Sequence, residues 1–331
     1  MVLVKKAGML VLWKTRNENV DKERAEILLR RLPKTHPSVV LAKNDLWNAE
    51  SGISGERRFD AYFSMSKIDF PHLILHDVSL KSVLPFQLDS LLITPWCVYV
   101  FEVKNMSGRL FFKQSPPQLI QTKEDGSVTG RKSPIEQMAT NEWLLEEWLS
   151  SRAYFLPIRS VLVFSYTKQM PENLPREQIA LFSNQLPMFL RKLQPEKEIM
   201  NLSDMEKLAT ELAAAHSPYA HEPICANSAF PVEAMQRGVW CEPCSRIGMK
   251  RKYGTWVCPS CGVSNKDAHI RTLKDWIMLT GEPLTNKKCR EILQIEDHRL
   301  ASRLLISMKM KKIGSYKDAK YIFETSWEYF I

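Results

Sequence analysis

The stretch that decides the fold reads Leu88-Asp89-Ser90-Leu91-Leu92-Ile93-Thr94, then Pro95-Trp96-Cys97, then Val98-Tyr99-Val100-Phe101-Glu102-Val103-Lys104-Asn105. Two β-branched and aromatic runs on either side of a proline-containing turn predict a strand hairpin. Nearly every other position is apolar, so the hairpin is expected inside a covered sheet. Asp89, Glu102 and Lys104 are then charged groups on buried elements. Side chains alternate along a strand, so Glu102 and Lys104 share one face, roughly 7 Å apart, while Val103 points the other way. Charges in such places are paired, coordinated or catalytic. Two carboxylates and an ammonium converging at a sheet end suit metal-assisted phosphodiester hydrolysis: the acids hold Mg²⁺, and the lysine steadies the attacking water and the developing negative charge. A structural Glu102–Lys104 ion pair accounts for the same residues.

Working outward, Leu73 to Val78 predicts a first strand, and Ser107-Gly108-Arg109 turns the chain into another at Leu110-Phe111-Phe112. Gln114 to Lys132, rich in Pro, Gln, Gly, Lys and Thr, predicts a mobile loop or edge hairpin beside the site. Ser133-Pro134-Ile135-Glu136 has the pattern of a capping box with Pro in the first turn, starting a helix to about Leu149 that brings Gln137 toward the sheet end. Ser160 to Ser165 is a buried strand and Ile179 to Phe182 a further one. Helices follow from Ser183 or Asn184 to Lys192, and from Ser203, capped toward Glu206, to about Ala215. Upstream, Val20 to Leu32 is an amphipathic helix ended by Pro33, with a second candidate at Ser38 to Ala49. Gly52-Ile-Ser-Gly55 leads to Glu56 at the start of a helix over Arg57 to Ser64, where free N–H groups and the macrodipole favour a carboxylate. The order predicts an α/β fold, a mixed sheet with helices on its faces.

Gly55-Glu56, Asp89, Glu102-Val103-Lys104-Asn105, Ser107-Gly108 and Ser133-Pro134 with Gln137 together resemble the nuclease-related domain, NERD, of the PD-(D/E)xK nuclease superfamily, over roughly Gly52 to Ser165. The resemblance implies a restriction-endonuclease-like sheet. It implies that Asp89 and Glu102 bind Mg²⁺ or Mn²⁺, that the Val103 carbonyl is a further ligand, that Lys104 supports the water, and that Glu56 and Gln137 complete the site. The residue after the metal aspartate is often histidine in that family and is Ser90 here.

Downstream, Cys241-Glu-Pro-Cys244 and Cys258-Pro-Ser-Cys261 have the spacing of a four-cysteine zinc ribbon, in which two knuckles close a tetrahedral, structural Zn²⁺ site. A redox reading would need two such dithiol pairs, each with Pro inside it, and no thioredoxin-like unit surrounds them. Arg246, Lys250, Arg251, Lys252, Tyr253 and Trp256 lie between the knuckles and suit phosphate contacts and base stacking. Helices over Ile270–Thr280, from Thr285 or Asn286 to Leu293, and over Asp297–Met308 predict a helix-turn-helix, with a wing hairpin from Lys309–Lys312, Gly314 and Tyr321-Ile-Phe323. Its contact residues would be Arg299, Ser302 and Arg303 on the second helix, with Lys311 and Lys312 on the wing. Plain helical packing or dimerisation is the alternative.

The 331 residues are 44% apolar and 25% charged, as in ordinary globular chains, with a net charge of +9. The excess is uneven: from Arg237 on there are 18 lysines and arginines against 10 acids, so a polyanion, DNA before RNA, is the expected partner. Seven cysteines, four of them in the paired knuckles, argue for thiolates in a reducing cytoplasm, and Cys97, Cys225 and Cys289 read as small apolar residues. No apolar run has the length to cross a membrane. Met1 to Trp13 has a charged pair before a short apolar run but no small-residue cleavage site, so it reads as an ordered segment, not a signal peptide. The expected domains are an N-terminal helical extension (1–51), the nuclease-like domain with its α/β extension (52–216), a linker (217–236), the zinc ribbon (237–267) and the winged-helix-like module (268–331). Two functions fit: a divalent-metal-dependent nuclease, or a non-catalytic DNA-binding or scaffold protein that retains the fold.

Overall fold

The computed structural model describes residues 11–17, 19–218, 221–315 and 319–322. Residues 1–10, expected as part of an ordered N-terminal segment, and Phe323 of the expected wing lie outside them. The chain forms two compact units, Met1–Asn17 with Glu50–Tyr219, and Glu18–Ala49 with Ala220–Ile331.

The elements begin with β1 (Val11–Lys14), α1 (Val20–Arg31) and α2 (Val39–Ser64). The central strands of the first unit follow, β2 (Leu73–Lys81), β3 (Pro85–Ile93) and β4 (Val98–Lys104). Next come β5 (Arg109–Gln114), β6 (Pro117–Thr122), β7 (Val128–Arg131), α3 (Pro134–Ser150), β8 (Ile158–Phe164), β9 (Met170–Glu172), β10 (Ile179–Phe182), α4 (Leu186–Arg191) and α5 (Leu202–Ala215). The main sheet has the order β1-β2-β3-β4-β8-β10 and is mixed. Strands β2, β3 and β4 are antiparallel neighbours, whereas β1 runs parallel to β2, and β4, β8 and β10 are parallel to one another.

Apolar residues on both sides of the central strands require cover on both faces. One face packs Leu91, Ile93, Val98 and Val100 under Leu144, Leu145 and Trp148 of α3 and Leu208 of α5. The other packs Leu92, Tyr99 and Phe101 under Phe59 and Phe63 of α2. The segment from Gln114 to Lys132 takes the hairpin alternative: β6 and β7 join β5 and β9 in a second sheet of order β7-β6-β5-β9.

Three local expectations change. Glu56 is not at a helix start, because α2 is one helix of 26 residues that runs through both Gly52 and Gly55. Two glycines disfavour a helix by about 1 kcal/mol each, but at Gly55 α2 lies close against the residues that follow β4 and β8: a Cβ there would lie 2.6 Å from Ser165 Oγ and 2.8 Å from Asn105 Cβ. Ser133 precedes α3 without a side-chain cap, leaving Pro134 as the starting signal. Asn201, not Ser203, caps α5, accepting from Asp204 N.

In the second unit, β11 (Val239–Cys241), β12 (Arg246–Lys252), β13 (Thr255–Val257) and β14 (Ser264–Asn265) form a four-stranded sheet in that order. Then come α6 (Ala268–Thr280), β15 (Leu284–Thr285), α7 (Asn286–Leu293), α8 (His298–Ser307), β16 (Lys311–Ile313) and β17 (Lys320–Ile322), whose strands pair in the order β15-β17-β16. Helix α1 is part of this unit, which differs from the N-terminal extension expected over 1–51. Its Ile27 and Leu28 share a core with Trp256, Trp276 and Leu293. Arg31, fully buried, donates from Nε to Asp275 Oδ2 at 2.8 Å and from Nη1 to the Gly238 carbonyl at 2.8 Å. Arg30 adds a 3.2 Å bond to Asp275 Oδ1. A buried pair of this kind adds little net stability, because the cost of desolvation offsets much of the attraction. The proline-rich stretch read as a linker likewise supplies Ile224, Phe230 and Met235 to that core.

Candidate active site at the sheet end

Glu102 and Lys104 leave β4 on the α3 side, as alternation requires, and Val103 packs toward the α2 side. Glu102 is only 2% exposed. Lys104 Nζ donates to Glu102 Oε1 at 2.5 Å and to Gln137 Oε1 at 3.1 Å, so the first turn of α3 meets the end of β4. Asp89 lies just beyond the last β3–β4 pair, Ser90 with Phe101, where its Oδ2 accepts the Val103 N–H at 2.8 Å in place of a ladder bond.

Glu56 approaches from α2, held by Arg16, whose Nη1 lies 3.7 Å from Glu56 Oε2. Arg16, just past β1, also donates to Asp60 (Nε to Oδ2 and Nη2 to Oδ1, both 3.0 Å), to the Asp89 carbonyl (2.9 Å) and to Ser90 Oγ (3.1 Å). The Ser90 hydroxyl in turn meets His76 Nδ1 at 2.8 Å, so an imidazole from β2 stands next to the position where a histidine was expected after the aspartate. Burial lowers the His76 pKa to about 4, leaving the ring neutral.

The electrostatics mark the place as costly for its acids. Burial, reinforced by Asp89 and opposed by Lys104, pushes Glu102 up to about 7. Burial also pushes Glu56 up to about 7, with Arg16 opposing and Asp89 adding to the shift. For Lys104 burial works against the charge, but Glu102 and Asp89 outweigh it and the pKa rises. Buried carboxylates that repel each other and are raised this far are what a bound cation would relieve. All-oxygen donors suit Mg²⁺ or Mn²⁺.

These residues fall within the segment 51–165, which matches the family model of the nuclease-related domain. The chain contains a nuclease-related domain. No curated protein and no solved structure matches the chain. Glu56, Asp89, Glu102, Lys104 and Gln137 all lie inside the nuclease-related domain, and Arg16 lies outside the matched segment. Arg16 is the residue that sequence reasoning missed. The available signal was a basic residue directly after a short apolar strand, which local pattern alone does not connect to Glu56.

The second unit holds a separate group. Among the described residues, Cys241, Cys244, Cys258 and Cys261 are the group of three or more side chains placed to bind a metal, their sulfurs all within 4.8 Å of one another. The Cys241–Cys261 and Cys244–Cys258 sulfurs are 3.6 and 3.5 Å apart. Zinc–sulfur bonds of about 2.3 Å at tetrahedral angles put sulfurs ~3.8 Å apart, so the four residues fit Zn²⁺ with no open position. Of the expected nucleic-acid contacts, Lys250, Lys252, Arg299, Arg303, Lys311 and Lys312 are exposed. Arg251 is half-buried over Trp256 (5.3 Å to the ring centre), and burial, with the charge of Arg303 adding to it, lowers its pKa. Trp256 is core and unavailable for stacking; Tyr253, at the β12–β13 tip, is fully exposed. No helix among the described residues is long and apolar enough to cross a membrane.

Proposed function

We propose that the first unit hydrolyses phosphodiester bonds in nucleic acid, with DNA as the leading substrate, and that the second unit binds the same polymer. The observation that carries this reading is the meeting of Asp89, Glu102, Lys104 and Gln137 at one sheet end inside a nuclease-related domain. Asp89 and Glu102 would hold the divalent ion, with the Val103 carbonyl as a third donor. Such an ion supplies Lewis-acid polarisation of the phosphate and lowers the pKa of a bound water. Lys104, held by Glu102 and Gln137, offers N–H donors to the attacking water and to developing negative charge on the phosphate oxygens. Glu56, raised to about 7, can hold or accept a proton near neutral pH, and Arg16 fixes its position.

In the second unit, helices α6, α7 and α8 with a small sheet paired β15-β17-β16, whose first strand lies between α6 and α7, support a winged-helix reading, in which Arg299 and Arg303 of α8 reach phosphates or bases and Lys311 and Lys312 flank them. The zinc-bearing sheet would add Lys250, Arg251 and Lys252. The test is a panel of single-stranded, double-stranded and branched DNA and RNA incubated with Mg²⁺ or Mn²⁺. Cleavage of one class identifies the substrate. Binding without cleavage of any class favours a non-catalytic DNA-binding protein.

A further inference from the structure

One strand away from Lys104, the first unit carries two cations with no acid to answer them. The turn after β8 is fastened to the end of β4: Ser165 N and Oγ donate to the Lys104 carbonyl at 3.0 and 3.2 Å, and Gln169 Nε2 does so at 3.1 Å. Between them, Tyr166 N donates to Gln169 Oε1 at 2.8 Å, and its hydroxyl meets Ser54 Oγ of α2 at 3.0 Å. The ring is therefore held at both ends. Over it stand the Arg58 guanidinium, 4.4 Å from the ring centre, and the Lys168 ammonium, at 5.9 Å.

Arg58 is half-buried, and its other contacts are the Tyr62 ring at 5.2 Å and a long 3.4 Å bond to the Tyr62 hydroxyl. Its buried Nε has no hydrogen-bond partner. Among the described residues, no carboxylate pairs with Arg58 or with exposed Lys168. A guanidinium partly withdrawn from water, with aromatic faces and one long hydroxyl bond as its contacts, loses hydration without gaining a carboxylate partner. An anion would answer both charges.

The location says which anion. Lys104 pairs with Phe164 in register, and neighbouring strands are ~4.8 Å apart, so the cluster lies one strand over from Lys104 at the same sheet end. On α2, Glu56 and Arg58 are about 200° apart around the helix, with buried Phe59 and Phe63 between them. Glu56 leans toward Arg16 and β3, and Arg58 toward Tyr166 and β8. The sheet end thus has acids on one side and unpaired cations on the other.

We infer that Arg58 and Lys168, steadied by Tyr166, bind a backbone phosphodiester of the substrate strand next to the one placed between Asp89, Glu102 and Lys104. This rests on the nuclease reading of the adjoining site, but its test does not need cleavage. Full-length protein is titrated into a fluorescein-labelled single-stranded DNA, with Ca²⁺ in place of Mg²⁺, over a range of salt concentrations. Each phosphate contact on a single strand contributes about 0.7 to the log–log salt slope, so the Arg58→Gln, Lys168→Gln double variant should lower the slope by about 1.4 and weaken binding about 5- to 20-fold at low salt. Lys168→Gln, at an exposed position, should keep parental melting and lower the slope by about 0.7.

An unchanged slope and affinity in either variant overturns the inference, as does a parent that binds no strand. Adenosine monophosphate forms the second arm: if it competes at the concentration at which the DNA half-saturates, and loses that in the double variant, the site takes a mononucleotide and the strand assignment fails. A parent that binds with this Arg58 and Lys168 dependence but never cleaves would instead overturn the nuclease reading and leave the inference standing.

Discussion

Glu102→Gln should make the protein more stable, and the size of the effect follows from the burial of one carboxylate. Glu102 is 2% exposed, beside Asp89, and its pKa stands at about 7 against an ordinary value of 4.5. A group raised in the folded state contributes stability that is present below its unfolded pKa and is lost as pH rises through the folded one. At 1.36 kcal/mol per unit, the ionised Glu102 costs the metal-free first unit about 3 kcal/mol at pH 8.5, growing in between pH 4.5 and 7. The attraction of Lys104 is already contained in that pKa, so it needs no further deduction. Glutamine keeps the shape and an acceptor for Lys104 without the charge. Urea unfolding of parent and variant at about pH 4.5 and 8.5, in buffer free of divalent ions, should give similar stabilities at the lower pH and a variant more stable by about 2–3 kcal/mol at the higher. Adding Mg²⁺ at the higher pH should restore much of the parent's deficit and leave the variant unmoved. A variant less stable than the parent at pH 8.5 would refute the picture of an acid held ready for a cation and favour the simple Glu102–Lys104 ion pair.

Purified protein should contain about one Zn²⁺ per chain, and Cys258→Ser should lose the metal and destabilise the second unit; protein prepared without chelator that holds no zinc would contradict this. Arg299→Glu with Arg303→Glu should lower the salt slope of duplex binding by about 1.8, and an unchanged slope would move the duplex contacts off α8. Gly55→Ala should destabilise the first unit, because overpacking against Asn105 Cβ and Ser165 Oγ costs about 1–3 kcal/mol and exceeds the ~1 kcal/mol that alanine offers a helix. A raised melting temperature would count against the tight α2 contact.

The hairpin and its acids were legible because strand alternation and burial are local properties: two apolar runs with a charge at fixed places imply where those charges emerge. The paired cysteine knuckles were legible for the same reason, since their spacing is itself the geometry. Gly55 misled, because a close approach between helix and sheet needs glycine as much as a turn does, and only the positions of Asn105 and Ser165 distinguish the two; a Cβ at Gly52 would meet nothing within 4 Å, and no contact there requires glycine. Arg16 was invisible because its partners are 40 to 74 residues away. The division into units was hidden likewise: Arg30 and Arg31 look like ordinary helix charges until Asp275 is beside them. Trp256 and Tyr253 show the same limit at short range, since β12 and β13 turn one aromatic into the core and leave the other in water.

The central claim is that the sheet end bearing Asp89, Glu102 and Lys104 breaks phosphodiester bonds. Its most direct test is the cleavage rate of a labelled nucleic acid by parent, Asp89→Ala and Lys104→Ala proteins side by side in Mg²⁺ and in Mn²⁺, with binding affinity measured in parallel. Loss of a metal-holding acid or of the lysine should slow cleavage about 10²-fold or more while binding stays close to parental. A parent that cuts nothing in either metal, or an Asp89→Ala protein that cuts as fast as the parent, would contradict the claim.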